Sequence, residues 1–201
     1  TISHLGYIKR TPLADFRQQG RGGVGAKASA ARDEDFIEYV HQANMHSTMM
    51  FFTEQGRLYW TKVYELPEGN RQSKGRALQN MINIQKGDKV CAFIHVKNLS
   101  DMEYVQNHYL IFATKNGLMK KTTLEAYSRP RANGIIALGL REDDRLIRVT
   151  LTDGNSQMLV ASYNGKVVRF PEDTVRPMGR TATGVRAIKL DEDGKDRVIG
   201  M

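Results

Sequence analysis

Four segments of this 201-residue chain follow one plan, so whatever fold it adopts is built from similar units in series. They are Leu5-Gly6-Tyr7-Ile8-Lys9, Gln55-Gly56-Arg57-Leu58-Tyr59, Asn116-Gly117-Leu118-Met119-Lys120 and Asn164-Gly165-Lys166-Val167-Val168-Arg169. The anchor glycines stand 50, 61 and 48 positions apart. An apolar run precedes each of the last three, at residues 49–53, 109–114 and 158–162. An apolar run, an Asn-Gly or Gln-Gly pair and a second run spell a β-hairpin, because glycine supplies the positive φ that a tight turn demands.

A basic loop follows each hairpin and ends in a second glycine 17 to 19 residues beyond the first, at Gly23, Gly75, Gly134 and Gly184. A third apolar stretch comes next, as in residues 134–138 and 184–188. An acidic turn then precedes a fourth strand, expected at 36–40, 90–96, 146–149 and 197–199. Four short strands per repeat of this length predict an all-β, propeller-like β-pinwheel of about four four-stranded blades. The whole of 1–201 reads as one such domain, with repeats anchored at Gly6, Gly56, Gly117 and Gly165. Both termini fall inside expected strands, so the reading is of a fragment of a larger wheel. A long helix is nowhere indicated.

Charge points to the partner. The chain carries 30 Lys and Arg against 22 Asp and Glu, a net +8, with a pI near 9.6. That balance suits a polyanion such as duplex nucleic acid. No apolar run is long enough to span a bilayer, and no basic amphipathic helix is visible, which argues against a membrane. The first residues, Thr1-Ile2-Ser3-His4-Leu5, do not read as a signal peptide, and the lone Cys91 reads as a buried small residue in a reducing cytosol.

The most basic segment surrounds Gln19-Gly20-Arg21-Gly22-Gly23-Val24-Gly25. Lys9, Arg10, Arg17, Arg21, Lys27 and Arg32 stand there against one acid, Asp15. So many glycines cannot form a strand or helix interior, and a glycine loop lets main-chain N–H groups approach an anion closely. The other repeats supply basic residues in register. Following the anchors come Arg57 and Lys62, Lys120 and Lys121, then Lys166 and Arg169. The loops add Arg71, Lys74 and Arg76, then Arg129 and Arg131, then Arg176, Arg180 and Arg186. Arranged around an axis, these cations form a rim track for a bent duplex, with the acids largely segregated to the other turn. Such binding is sequence-tolerant, because phosphate contacts read no bases.

Other chemistry finds little support. Gly23-Val24-Gly25-Ala26-Lys27-Ala28 matches a dinucleotide fingerprint, but no strand precedes it and no βαβ unit follows. His41 and His46 lack zinc spacing, the acidic turns read as solvated, and Trp60 reads as blade core.

The box at 19–25 matches the pattern Gln-basic-Arg-Gly-Gly-basic-Gly and stands in the first of four registered repeats. With Asp35-Phe36-Ile37, Lys62-Val63-Tyr64-Glu65-Leu66-Pro67 and Gly117-Leu118-Met119-Lys120-Lys121-Thr122, it resembles the C-terminal domain of the DNA gyrase A subunit. The likeness continues through Gly165-Lys166-Val167-Val168-Arg169-Phe170, Val175-Arg176-Pro177-Met178-Gly179 and Thr183-Gly184-Val185-Arg186, covering essentially the whole chain. Gly20 and Val24 depart from it, leaving Arg21 as the box's single charge, with Arg17 and Lys27 nearby.

The resemblance implies a six-bladed pinwheel with strands exchanged between neighbouring blades. It implies DNA wrapping with a positive crossing, in service of ATP-dependent strand passage and negative supercoiling by a type IIA topoisomerase. The gyrase B subunit and a second A subunit complete an A2B2 heterotetramer in the bacterial cytoplasm, associated with the chromosome. ATP and Mg²⁺ are used elsewhere in that complex; catalytic residues, metal and cofactor are expected to be absent from this segment. Two alternatives stay open. One is the related C-terminal domain of topoisomerase IV, which lacks an intact box. The other is a protein-binding propeller like the chromosome-condensation regulator repeats.

Overall fold

Each anchor glycine sits at the turn of a hairpin, with φ between 76° and 86° at Gly6, Gly56, Gly117 and Gly165. The computed structural model describes residues 1–25, 27, 29–192 and 194–201. Ala26 and Ala28 of the fingerprint-like stretch and Asp193 of the last acidic turn lie outside the described residues. In chain order the strands are β1 (Ile2–Ser3), β2 (Tyr7–Ile8), β3 (Ile37–Tyr39), β4 (Thr48–Thr53), β5 (Arg57–Lys62), β6 (Arg76–Ala77), β7 (Val90–Val96) and β8 (Tyr109–Thr114). There follow β9 (Leu118–Thr123), β10 (Ile135–Ile136), β11 (Leu146–Thr152), β12 (Gln157–Ser162), β13 (Val167–Pro171), β14 (Val185–Arg186) and β15 (Val198–Gly200).

The strands form four antiparallel sheets, ordered β3-β1-β2-β6, β10-β5-β4-β7, β11-β8-β9-β14 and β13-β12-β15. In every sheet the fourth strand of a repeat pairs with the first strand of its own hairpin. The third strand does not stay at home. β6, which follows Gly75 in the second repeat, pairs with β2 of the first. β10 of the third repeat pairs with β5 of the second, and β14 of the fourth pairs with β9 of the third. Strands are therefore exchanged between neighbouring blades, as the resemblance implied.

The second glycine exists for this exchange. At Gly134, φ is +66°, and a Cβ there would stand 2.6 Å from the Leu58 carbonyl oxygen and 2.7 Å from the Tyr59 ring. Only glycine permits that approach of one backbone to another. Gly75 meets the Ile8 carbonyl and Gly184 the Met119 carbonyl in the same way. Beyond each, the chain is held by the anchor glycine itself: Leu78 N donates to Gly6 O at 2.9 Å, Ala137 N to Gly56 O at 2.7 Å and Ala187 N to Gly117 O at 2.9 Å.

The central strands read as continuous apolar runs because both faces of their sheets are covered. All six residues of β4 are buried. Alternate side chains serve different cores, since successive strand residues point to opposite faces. Met49 and Phe51 join Ile2, Ile8 and Tyr59, while Met50 and Phe52 join Leu110, Phe112 and Leu146. From β8, Ile111 turns the other way, to Met119, Met158, Val160 and Val198. Each core lies between two blades rather than within one. Full burial of a Phe or Met side chain contributes about 1.5–3 kcal/mol, so these shared layers hold the wheel together.

The acidic turns are structural, which corrects the expectation that they are simply solvated. Asp35 Oδ1 accepts the Leu5 amide at 3.1 Å, Asp88 Oδ1 that of Gln55 at 3.1 Å, Asp144 Oδ1 that of Asn116 at 2.9 Å and Asp196 Oδ1 that of Asn164 at 3.0 Å. Each also accepts the amide that follows it, from Phe36, Lys89, Arg145 or Arg197. One carboxylate per repeat thus clamps the hairpin turn to the start of the fourth strand. The other departure is a short helix, α1 (Met102–Asn107), capped by Asp101, whose side chain accepts the Tyr104 amide at 3.0 Å.

Candidate nucleic-acid interface

Strand direction decides which charges share an end of the sheets. The hairpin turns and their aspartate clamps lie at one end. At the other, the second repeat's loop runs beside the residues that follow β2: Arg10 N donates to Pro67 O and Gly69 N to Arg10 O, both at 2.9 Å. The fourth repeat's loop does the same beside β9, where Met178 N donates to Lys121 O at 2.8 Å. Beyond Glu68, which pairs with Arg10, and Asp173, these loops continue into stretches without acids, at 69–87 and 174–190, and the other repeats carry such stretches at 16–32 and 126–141. Basic loops therefore recur at equivalent places on consecutive blades, away from the aspartate clamps.

Exposure sorts the rim expected from sequence. Arg17, Lys27, Lys74, Arg76, Arg129, Arg131, Lys166, Arg169, Arg176 and Arg186 are exposed, and Arg10, Arg57, Lys62, Arg71 and Arg180 are half-buried. Arg10 is ion-paired with Glu68 at 2.5 Å and Lys166 with Asp191. The box is exposed from Gln19 to Gly25. Its shape is a tight turn in which Gly23 N donates to Gly20 O at 3.3 Å, with Gly22 at φ +81°. Unlike Gly75, Gly134 and Gly184, Gly23 meets only its own loop.

Three of the expected rim cations are corrected by the structure. Lys9, Lys120 and Lys121 are 3%, 0% and 4% exposed, so none presents its charge to a ligand at the surface. The Lys9 ammonium donates to three main-chain oxygens of the following repeat's loop, and burial lowers its pKa. Lys120 Nζ donates to the carbonyls of Ala137 at 2.6 Å and Arg180 at 2.5 Å and to the Tyr127 hydroxyl at 3.3 Å, with the Phe112 ring 4.8 Å away. Burial, with the charge of Arg180 beside it, pulls this ammonium down to about 7. Lys121 pairs with the buried Glu172 at 2.9 Å and lies 4.3 Å from the centre of the Tyr109 ring. Their burial follows from the exchange: the next repeat's loop and short 3-10 turn lie over the hairpin. For Lys9 and Lys121 a single repeat's sequence does not contain that cover, whereas Lys120 also meets Tyr127 and Ala137 of its own repeat.

The remaining candidates behave as packing. The Cys91 thiol, half-buried, sits 3.5 Å from the Phe52 carbonyl, and burial, reinforced by Glu54 and Asp88, pushes it up to about 12, far from a reactive thiolate. Trp60 packs against the core between the second and third blades. Burial lowers the pKa of His41 and His95. Among the described residues, no group of three or more His, Cys, Asp or Glu is placed to hold a metal ion, and no helix is long and apolar enough to cross a membrane.

Comparison with known proteins points to one family. The family model described as DNA gyrase C-terminal domain, beta-propeller, matches residues 1–44, 47–97, 108–153 and 157–201, one match per repeat. The DNA gyrase A protein of Salmonella typhimurium is 46% identical over 201 residues, all of this chain and 22% of that protein. Those of Haemophilus influenzae and Staphylococcus aureus are 46% and 42% identical over 94% and 100% of this chain. The chain thus spans little more than a fifth of these relatives' length, 21–22%. Among solved structures, the C-terminal domain of DNA topoisomerase IV superposes with a TM-score of 0.81 at 27% identity, over 99% of this chain and 58% of that one. A DNA gyrase A C-terminal domain gives 0.71 at 22% identity, over 99% and 62%, a likeness of fold. With a hairpin repeat, a glycine-dependent strand exchange and four family matches in the same register, this chain belongs to the DNA gyrase C-terminal domain family of β-propellers.

Proposed function

We propose that this chain binds duplex DNA without sequence preference and bends it around the ends of the blades that carry the basic loops. The observation that carries the reading is the recurrence of exposed cations in acid-free loops at equivalent places on consecutive blades, with Lys74, Arg131 and Arg176 as examples. Bending a 20–30 bp site by 40–90° costs about 1–6 kcal/mol, which many modest phosphate contacts spread along a curved track are suited to offset. No recognition helix exists among the described residues to read a groove, since α1 has six residues.

Kinship to gyrase A supports a role for this binding within an ATP-dependent type IIA topoisomerase. There the wrapped segment is presented for strand passage, leaving negative supercoils, in an A2B2 assembly with gyrase B in the bacterial cytoplasm. Catalytic groups, ATP and Mg²⁺ belong to other parts of that assembly. The exposed box turn at 19–25 sets the path of the duplex more than its affinity, because Arg21 is its single charge.

The test is equilibrium binding to random-sequence duplex across a salt series. The expected log K against log salt is steep and linear, and loses about one unit of slope per phosphate contact removed. Salt-independent binding overturns the reading. A second reading, binding without a stored crossing as in a topoisomerase IV type of domain, is favoured by Gly20 and Val24 and by the 0.81 superposition. Sealing nicked circles on the protein separates the two: wrapping shifts the linking difference to positive values, and simple binding leaves it unchanged.

A further inference from the structure

Two buried lysines and one half-buried arginine of the hairpins donate to carbonyl oxygens of the basic loop that the next repeat lays across them. Lys9 Nζ donates to Asn70 O at 2.8 Å, Arg71 O at 3.2 Å and Ser73 O at 2.8 Å. Arg57, one blade on, donates from Nη2 to Asn133 O at 3.0 Å and from Nε to the Tyr59 hydroxyl at 3.2 Å. Lys120 reaches Arg180 O at 2.5 Å, besides the Ala137 carbonyl at 2.6 Å and the Tyr127 hydroxyl at 3.3 Å in its own repeat. Lys9 and Lys120 occupy the same place in their repeats, three residues past the anchor glycine, and Arg71 and Arg180 each stand four residues before the second glycine.

A loop dense in like charges has little reason of its own to keep one shape, and ordering it at the moment of binding costs free energy. Internal cations that hold its carbonyls inward remove that cost in advance. They also withdraw the negative ends of the peptide dipoles from the surface that faces a polyanion. We propose that Lys9, Arg57 and Lys120 are positioning residues for DNA binding: from beneath the loop, each fixes the backbone of the following repeat's loop, whose arginines and lysines then meet phosphates in a preset arrangement. This role rests on the DNA-wrapping reading above.

The test uses this whole chain and a random-sequence duplex. Lys9→Met, which removes no surface charge, is expected to flatten the salt slope by about two units, as does the loop variant Arg71→Ala/Lys74→Ala. Combining the two sets is expected to add nothing further, and Lys9→Arg to restore the slope. A generally weakened fold would not give this non-additivity confined to one loop. A folded Lys9→Met protein with the wild-type slope, or strict additivity with the loop variant, overturns the proposal. Should Lys9→Met fail to fold, Arg57→Gln at its half-buried site makes the same test through Arg129 and Arg131, with the same outcomes. If the wild type shows no salt-dependent binding, the DNA reading fails by itself. Hydrogen exchange of the 69–74 amides then decides the positioning role: unchanged protection in Lys9→Arg and lost protection in Arg57→Gln at 129–134 support it, and unchanged protection in both variants and in Lys9→Met overturns it.

Discussion

The ammonium of Lys120 and the carbonyl oxygen of Arg180 are 2.5 Å apart, although 60 positions of chain separate them. The contact joins the third hairpin to the fourth repeat's loop, and it buries a cation without an opposing carboxylate. That has a pH signature. The folded-state pKa of Lys120 is about 7, against an ordinary value of 10.5. Between those values the unfolded chain binds more protons than the folded one, so stability rises with pH there and is flat below. Urea midpoints are expected to climb from pH 7 towards pH 10 in the wild type, and Lys120→Met to lack that climb.

The aspartate clamps act at the opposite end of the scale. Burial alone would raise the carboxyls of Asp35 and Asp196, but hydrogen bonds from main-chain amides and from the hydroxyls of Ser3 and Ser162 outweigh it and leave both below the usual range. A depressed folded pKa gives stability that is complete above the ordinary carboxylate value and is lost as pH falls through the folded one. Acid unfolding is expected to begin below about pH 4. Asp88→Ala, which strands the Gln55 and Lys89 amides, is expected to cost about 1–3 kcal/mol at pH 7 in urea titration.

Glycine substitutions separate the exchange from the box. Gly134→Ala forces a Cβ into the Leu58 carbonyl and the Tyr59 ring at a positive φ, and is expected to destabilise by about 2–4 kcal/mol. Gly20→Ala meets nothing within 4 Å, so its cost stays within about 0.5 kcal/mol. Thermal melts of the two variants check the contrast.

The Lys121–Glu172 pair is a buried cross-blade contact in which Glu172 also accepts the Thr152 hydroxyl at 2.9 Å and the Ser156 amide at 3.0 Å. Removing one partner leaves the other charge buried and unpaired, so Lys121→Met is expected to cost about 3–5 kcal/mol. Exchanging both for apolar residues of like volume, Lys121→Met with Glu172→Leu, is expected to recover most of that loss in a double-mutant cycle.

Hairpins and fourth strands were legible in the sequence because their signals are local: an apolar run, a turn glycine, a second run, and an apolar run after an acidic turn. β8 and β7 run over the expected residues, 109–114 and 90–96. The exchanged strands were legible as apolar stretches, but their hosts were not, since pairing β10 with β5 depends on a contact across more than 70 positions. The rim was legible only as a list of cations. Whether a lysine three residues past the anchor faces solvent or the next repeat's carbonyls depends on the loop above it, and that loop lies a repeat away. The clamping aspartates looked like ordinary turn residues because a hairpin amide seeking an acceptor leaves no mark in sequence. Helix α1 did leave one, in Asp101, a helix-capping residue set three positions before Tyr104.

Gly75, Gly134 and Gly184 settle onto the same carbonyl position of the hairpin before them, at Ile8, Leu58 and Met119. Donor and acceptor are thus identical in each unit, like one plug and socket repeated along the chain. Removing a whole repeat would bring the next plug to the previous socket, and duplicating one would add a blade without redesigning its neighbours. Blade number is accordingly open to change by recombination in whole repeats, while changes of length between a socket and its plug are absorbed in the connecting loops, as where α1 lies between Leu58 and Gly134. Under the proposed wrapping, the length of DNA engaged changes in steps of one blade.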